Sequence, residues 1–228
     1  MKKTKLVVFD LAGTTVTDRG NVNVAFREAF AADGIEVDEA EVNKLMGYRK
    51  MEAITIMMSK HFPGDTDRYA EVINRIHDRF IRIMVDFYSN DHDLKPLPFA
   101  EEVFSWLQER ECRVALNTGF TRTITNAILE KLNWVNNPLI NAVVCSDEVP
   151  EGRPHPYMIQ SIMQQLELDN AAAIVKAGDT EVDILEGRNA GCGMVIGVTT
   201  GAYNRSELSL YSPDAIIDSL QELPELIA

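Results

Sequence analysis

The sequence predicts an α/β fold: a Rossmann-like parallel-sheet core with an inserted α-helical cap domain. Three observations carry this. A short apolar run, Val7-Val8-Phe9, stops abruptly at Asp10 and is followed by Ala12-Gly13-Thr14-Thr15, the mark of a buried strand that ends in a loop. From about Asn21 to Asn90 the apolar residues recur at helical spacing, with no strand pattern. Beyond the polar, proline-marked stretch Ser89–Pro98, strand and helix patterns alternate to the C-terminus, as a parallel sheet covered on both faces requires.

The elements follow in order. After the first strand, Val22, Phe26, Ala29 and Phe30 mark a helix that stops near Asp33-Gly34. A short helix is expected over Asp38–Leu45 and a third over Lys50–Lys60. A longer one runs from about Asp67 to Tyr88, with Val72, Ile73, Ile76, Phe80, Ile83, Met84 and Phe87 as its apolar face. The core then reads helix Ala100–Arg110, strand Arg113–Asn117, helix Thr121–Leu132 and strand Ala142–Cys145. Helix Pro156–Leu166, strand Ala173–Ala177, helix Val182–Ala190 and strand Met194–Val198 come next, and an Ala215–Ile217 segment and a short helix close the chain. This divides the chain into a core of residues 1–16 and 96–228 and a cap of residues 17–95.

Composition narrows the function classes. At 228 residues and 46% hydrophobic, the chain can bury one substantial core and a satellite. No apolar run approaches the ~20 residues of a membrane helix. The basic start Met-Lys-Lys-Thr-Lys leads into a strand rather than a signal peptide's long apolar stretch. Three scattered cysteines without pair or metal spacing fit a reducing cytoplasm. The net charge of −13 argues against nucleic acid as a partner.

Four strand ends carry reactive groups: Asp10; Asn117-Thr118-Gly119-Phe120; Gly152-Arg153-Pro154-His155-Pro156; and Gly178-Asp179-Thr180-Glu181-Val182-Asp183. In an open α/β sheet such ends line one crevice. Hydroxyl and free amides at Thr118-Gly119 suit a phosphate. Three carboxylates meeting there repel one another by about 4 kcal/mol per pair at 4 Å and a dielectric near 20, which a bound cation relieves. Oxygen ligands beside an anionic substrate point to Mg2+.

These four motifs, in this order, resemble the haloacid dehalogenase superfamily. The resemblance implies that Asp10 is a nucleophile forming an aspartyl-phosphate, that Thr118, Gly119 and Arg153 hold phosphoryl oxygens, and that Asp10, Ala12 (through its carbonyl), Asp179 and Asp183 surround Mg2+. Within the superfamily, Asp-x-Ala-Gly-Thr-Thr, Thr-Gly-Phe-Thr-Arg, Gly-Arg-Pro-x-Pro and Glu-Gly-Arg-Asn-Ala-Gly are similar to phosphonoacetaldehyde hydrolases (phosphonatases). Ala12 stands where phosphatases of the superfamily carry a second Asp, the acid that protonates a leaving alcohol. Met46-Gly47-Tyr48-Arg49-Lys50 resembles the phosphonatase cap segment, with Met46, Gly47 and Arg49 near substrate and Lys50 as the Schiff-base lysine. Lys50 then needs a lowered pKa, through burial or a cation such as Arg49. Departures from that family are Ala53, where it has His, Phe120, where it has Tyr, and a more polar Thr17–Asn21 loop.

The expected activity is Mg2+-dependent C–P cleavage of a small phosphonate such as phosphonoacetaldehyde. The alternatives are a phosphate-ester phosphatase of the phosphoglycolate type and a non-catalytic phosphometabolite-binding module. The expected partner is a small phosphorylated or phosphonate metabolite, without nucleic acid or membrane, in a monomer or homodimer. His61, His77 and His92 read as surface, and His155 as loop surface or pocket wall.

Overall fold

The computed structural model describes residues 3–64 and 67–227. Six parallel strands form one sheet: β1 (Leu6–Asp10), β2 (Arg113–Thr118), β3 (Ala142–Cys145), β4 (Ile174–Gly178), β5 (Met194–Val198) and β6 (Ala215–Ile217). Their spatial order is β3-β2-β1-β4-β5-β6. The order reverses at β1, so the loops after β1 and β4 part there and open the crevice of a doubly wound sheet. In register, Asp10 lies beside Asn117 and Phe9 beside Ala177, which brings the ends of β1, β2 and β4 together.

The strands are buried on both faces, and the period of two sorts their side chains. Val7 and Phe9 face the layer of α5 (Ala100–Gln108) and α6 (Arg122–Lys131), where Phe9 meets Phe104 with ring centroids 5.3 Å apart. Leu6 and Val8 face α7 (Tyr157–Gln165) through Met158, Ile159 and Ile162. The helix α8 (Glu181–Ala190) lies against β4 and β5.

Between β1 and α5 the chain forms α1 (Asn21–Ala31), α2 (Glu39–Asn43), α3 (Lys50–His61) and α4 (Ala70–Asn90). Ile73, Ile76, Phe80, Met84 and Tyr88 make the buried stripe of α4 at steps of three and four, and Phe80 packs on Phe26 of α1 at 4.6 Å. Asp33, after α1, pairs with Arg75 and Arg79 of α4. The chain leaves and rejoins the core at adjacent points: Val16 and Pro96 form an antiparallel bridge, with Thr17 N–H donating to Lys95 O at 3.1 Å and Leu97 N–H to Thr15 O at 2.8 Å.

Every strand and long helix expected from the pattern is present, with ends shifted by a few residues. The expected helix from Asp67 differs at its start, where Asp67–Tyr69 is a 3-10 turn before α4. A short helix α9 (Arg205–Ser209) went unread; its five residues are too few to show a period. The chain ends in α10 (Leu223–Ile227). Among the described residues no helix is long and apolar enough to cross a membrane.

Candidate active site

Asp10 sits at the tip of β1, 5% exposed. The chain then turns tightly, with Gly13 N–H donating to Val16 O at 2.8 Å and the Thr15 hydroxyl to Asp10 O at 2.9 Å. Behind Asp10 lies Arg153, fully buried. Its Nη1 is 2.6 Å from Asp10 Oδ1 and 2.9 Å from Asp183 Oδ1; its Nε is 3.1 Å from Glu186 Oε2. Its Nη2 donates to Asn117 O at 2.8 Å and Asn117 Oδ1 at 2.6 Å. The guanidinium thus makes four hydrogen bonds, to Asp10, Asn117 and Glu186, while Asp183 Oδ1 is held by charge alone. Lys176, buried in β4, adds a second cation 2.9 Å from Asp183 Oδ1, and donates to Asn117 Oδ1 at 2.8 Å.

Asp183 works at the start of α8. Its Oδ2 accepts from the Thr180 hydroxyl at 2.6 Å and the Thr180 N–H at 3.2 Å, capping the helix, while Oδ1 holds the two cations. Those cations hold its carboxyl below the usual range against the opposing effect of burial. Asp179 is held differently. Its Oδ1 accepts from the Thr14 hydroxyl at 3.1 Å and its Oδ2 from the Ala202 N–H at 2.7 Å. Burial, and then the facing Asp10 and Asp183 carboxylates, push its pKa well above the ordinary value. Asp10 is raised as well, by burial and by Asp183, with Arg153 and Lys176 opposing.

The donor set fits a hard divalent cation. Four buried carboxylates (Asp10, Asp179, Asp183, Glu186) outnumber three buried cations (Arg153, Lys176, Lys50), and of the four it is Asp10 and Asp179 whose pKa values are raised. Backbone is drawn tightly around Asp179: a Cβ at Gly201 would lie 2.0 Å, and one at Gly13 2.8 Å, from Asp179 Oδ2. Among the described residues no three His, Cys, Asp or Glu side chains form a ready cage. Mg2+ does not require one, since it is commonly held by one or two carboxylates, waters and substrate oxygens.

The wall facing Asp10 comes from the helical insertion. The segment Met46–Arg49 lies on the core loops so closely that a Cβ at Gly119 would be 2.6 Å from Gly47 O. Gly47 itself, at φ +81°, passes Thr180 in a conformation that favours glycine. Tyr48 Oη donates to Glu181 at 3.0 Å, Arg49 Nη1 to Pro150 O at 3.1 Å, and the Gly152 N–H to Glu52 at 3.2 Å. Lys50, the first residue of α3, is 3% exposed, with its Nζ 5.2 Å from the Phe120 ring and 5.7 Å from Phe26. Burial lowers its pKa from 10.5 to about 8; Asp10, Asp18 and Asp179 act to raise it and Arg153 to lower it. The cavity is lined by Asp10, Ala12, Lys50, Thr118, Asp179 and also Asp18.

Asp10, Ala12, Met46, Gly47, Lys50, Thr118, Gly119 and Asp179 therefore share one cavity wall. Arg153 and Asp183 stand behind it, paired to each other. The cation that acts on Lys50 is Arg153, whereas Arg49 turns away to the Val149 and Pro150 carbonyls, because adjacent residues at a helix start point in different directions. His155 stays on the surface, 3.7 Å from Glu151. His77 is half-buried, which lowers its pKa. Lys176, Glu186 and Asp18 were missed. Lys176 left a signal in the sequence as a charge inside the apolar run Ile174–Gly178, whereas Glu186 and Asp18 lay within the Glu-Gly-Arg-Asn-Ala-Gly motif and the polar Thr17–Asn21 loop without being assigned to the site.

A sequence profile described as haloacid dehalogenase-like hydrolase matches residues 4–191. The chain belongs to the haloacid dehalogenase-like hydrolases. It is an enzyme of that superfamily, with the strand-end carboxylate Asp10 and the inserted helices described above. A phosphonoacetaldehyde hydrolase from Syntrophobacter fumaroxidans is 33% identical over 95% of this chain and 78% of that relative. The crystal structure of a phosphonoacetaldehyde hydrolase-like protein from Oleispira antarctica superposes with a TM-score of 0.84 at 25% identity, over 98% of this chain and 91% of that one. The crystal structure of a putative phosphoglycolate phosphatase from Lactobacillus delbrueckii subsp. bulgaricus, at 18% identity and TM-score 0.79 over 99% of this chain and 98% of that one, shares the fold.

Proposed function

We propose that this haloacid dehalogenase-like hydrolase cleaves the C–P bond of a small aldehyde phosphonate, phosphonoacetaldehyde being the first candidate. The observation that carries the reading is Lys50: a buried amine with its pKa brought to about 8, on the same cavity wall as the Asp10 carboxylate. A free amine near neutral pH is what condensation with an aldehyde needs, and a nearby carboxylate is what attack on phosphorus needs. The relatives named phosphonoacetaldehyde hydrolase support it, as does Ala12, which offers no proton for a leaving alcohol.

On this reading the Lys50 amine adds to the aldehyde carbon and water leaves, giving an iminium. An Asp10 oxygen then attacks phosphorus; the O–P bond forms, the C–P bond breaks, and its electron pair passes into the neighbouring carbon as an enamine. The enamine carbon takes up a proton, and water releases acetaldehyde and the free Lys50 amine. A second water hydrolyses the aspartyl-phosphate to inorganic phosphate. Arg153, held by Asn117 and Glu186, aims and partly neutralises Asp10, while Thr118 and Gly119 offer hydrogen-bonding groups to phosphoryl oxygens. Mg2+, held by Asp10, Asp179 and the Ala12 carbonyl with Asp183 supporting from behind, would offset the negative charge gathered when the substrate binds. Residues 17–95 act as the cap over the core of residues 1–16 and 96–228, excluding water from the iminium. The bridged segments at Val16 and Pro96 supply the connection between them. The three free cysteines, none in a disulfide, support a cytoplasmic setting.

Phosphate-ester hydrolysis is the second reading, favoured by Ala53, where the phosphonatase resemblance calls for His. Phosphate release from phosphonoacetaldehyde and from phosphoglycolate, side by side and with and without Mg2+, separates the two. Release from the phosphonate alone, with Mg2+, is expected. Turnover confined to the esters overturns the proposal.

A further inference from the structure

Iminium chemistry needs a group that takes a proton from the lysine and returns it to the departing oxygen, and Ala53 offers none. The structure places another carboxylate on the cavity wall. Asp18 lies on the loop between β1 and α1, and its Oδ1 accepts the N–H groups of Gly20 at 3.0 Å and Asn21 at 3.1 Å. These bonds fix the carboxylate at the entrance of α1, where the helix N-terminus favours its charge. The pair Arg19–Asp93, at 3.0 Å, ties the same loop to the end of the insertion. Asp18 and Lys50 both line the cavity that holds Asp10.

We propose that Asp18 is the proton-transfer partner of Lys50. This rests on the phosphonatase reading above. The Asp18 carboxylate accepts a proton from the Lys50 ammonium, freeing the amine to add to the aldehyde. The carboxylic acid so formed gives that proton to the carbinolamine oxygen, which departs as water and leaves the iminium. Burial raises the pKa of Asp18, partly opposed by the backbone amides and Lys50, bringing its basicity closer to that of the amine it serves. The other charged groups acting on Lys50 are Asp10, Asp179 and Arg153. Tyr88 has a buried hydroxyl without a hydrogen-bond partner among the described residues, and its raised pKa reflects burial and then Asp18 and Asp10.

Asp18→Asn separates proton transfer from structure, because its amide oxygen still accepts the Gly20 and Asn21 N–H groups. The experiment uses the full chain with Mg2+ and phosphonoacetaldehyde. It measures kcat, KM, their pH dependence, and the rate at which borohydride traps an adduct on Lys50. We expect Asp18→Asn to lower kcat and the trapping rate by roughly 10²-fold or more, with KM changed less than about threefold. The Lys50-dependent limb of the pH profile moves to lower pH, since a carboxylate that raises its pKa is gone. Formate partly restores Asp18→Ala. If Asp18→Asn forms the Lys50 adduct at the unaltered rate and with the same pH dependence, the inference is overturned while the phosphonatase reading stands. If the unaltered chain forms no Lys50 adduct, the phosphonatase reading falls and the inference with it.

Discussion

Replacing Lys50 by Met should abolish turnover and yet make the protein more stable at neutral pH. The amine is buried between Phe26 and Phe120, and its pKa falls from 10.5 to about 8. Where the folded pKa is depressed, the unfolded chain binds more protons and stability rises with pH. The charged amine therefore costs the folded state most below pH 8, and the cost fades between about pH 8 and 10.5. At pH 7 it comes to roughly 3 kcal/mol, at about 1.4 kcal/mol per pK unit. At pH 10 the same relation leaves less than about 1 kcal/mol. Met keeps the apolar stem but loses attraction to the two rings, worth about 0.5–2 kcal/mol. The net gain at pH 7 is then about 1–3 kcal/mol, or roughly 3–10 °C in melting temperature for a chain of this size. Thermal unfolding of both chains in chelator, at pH 7 and pH 10, measures it. A variant less stable at pH 7, or a gap that does not shrink by pH 10, refutes the claim that burial tunes this amine.

Gly201→Ala should force Asp179 aside, because its Cβ would come within 2.0 Å of Asp179 Oδ2; the Mg2+ concentration for half-maximal rate is expected to rise tenfold or more in a titration of activity. Truncating Arg153 to Ala strands Asp10, Asp183 and Glu186 around a void, so a loss of about 3–5 kcal/mol is expected in urea unfolding. Mg2+ should raise the melting temperature more at pH 8 than at pH 5. Asp179 titrates well above the usual carboxylate range, and protons compete with the metal as pH falls through its pKa. Equal shifts at both values would count against Asp179 as a ligand.

The layered fold was legible because strand ends carry punctuation. Asp10, Thr118 and Asp179 each close an apolar run, and a parallel sheet brings such ends together whatever their separation along the chain. The insertion was legible from its unbroken helical spacing, clearest in α4. Orientation was not. Arg153 and Arg49 both read as cations beside a substrate, yet one is locked behind Asp10 and the other clasps two carbonyls of the core. Those outcomes depend on where loops cross in space, which spacing does not encode. Glu186 opened the Glu-Gly-Arg-Asn-Ala-Gly motif but gave no sign that it is buried, since a single acid on a helix ordinarily faces water, and the buried Arg153 and Lys176 give it a reason to be inside. Asp18 was visible only as part of a polar loop; its place on the cavity wall comes from the turn into α1.

The central claim is that Lys50 and Asp10 act on one substrate, the lysine on carbon and the aspartate on phosphorus. Borohydride reduction during turnover of phosphonoacetaldehyde, followed by peptide mass spectrometry, tests both at once. In the unaltered chain Lys50 should carry an ethyl group, left when the C–P bond has already broken. In Asp10→Asn it should carry the intact phosphonoethyl group, because the iminium forms and nothing attacks phosphorus. An unmodified Lys50 in both chains, with phosphate still released by the unaltered one, would contradict the account.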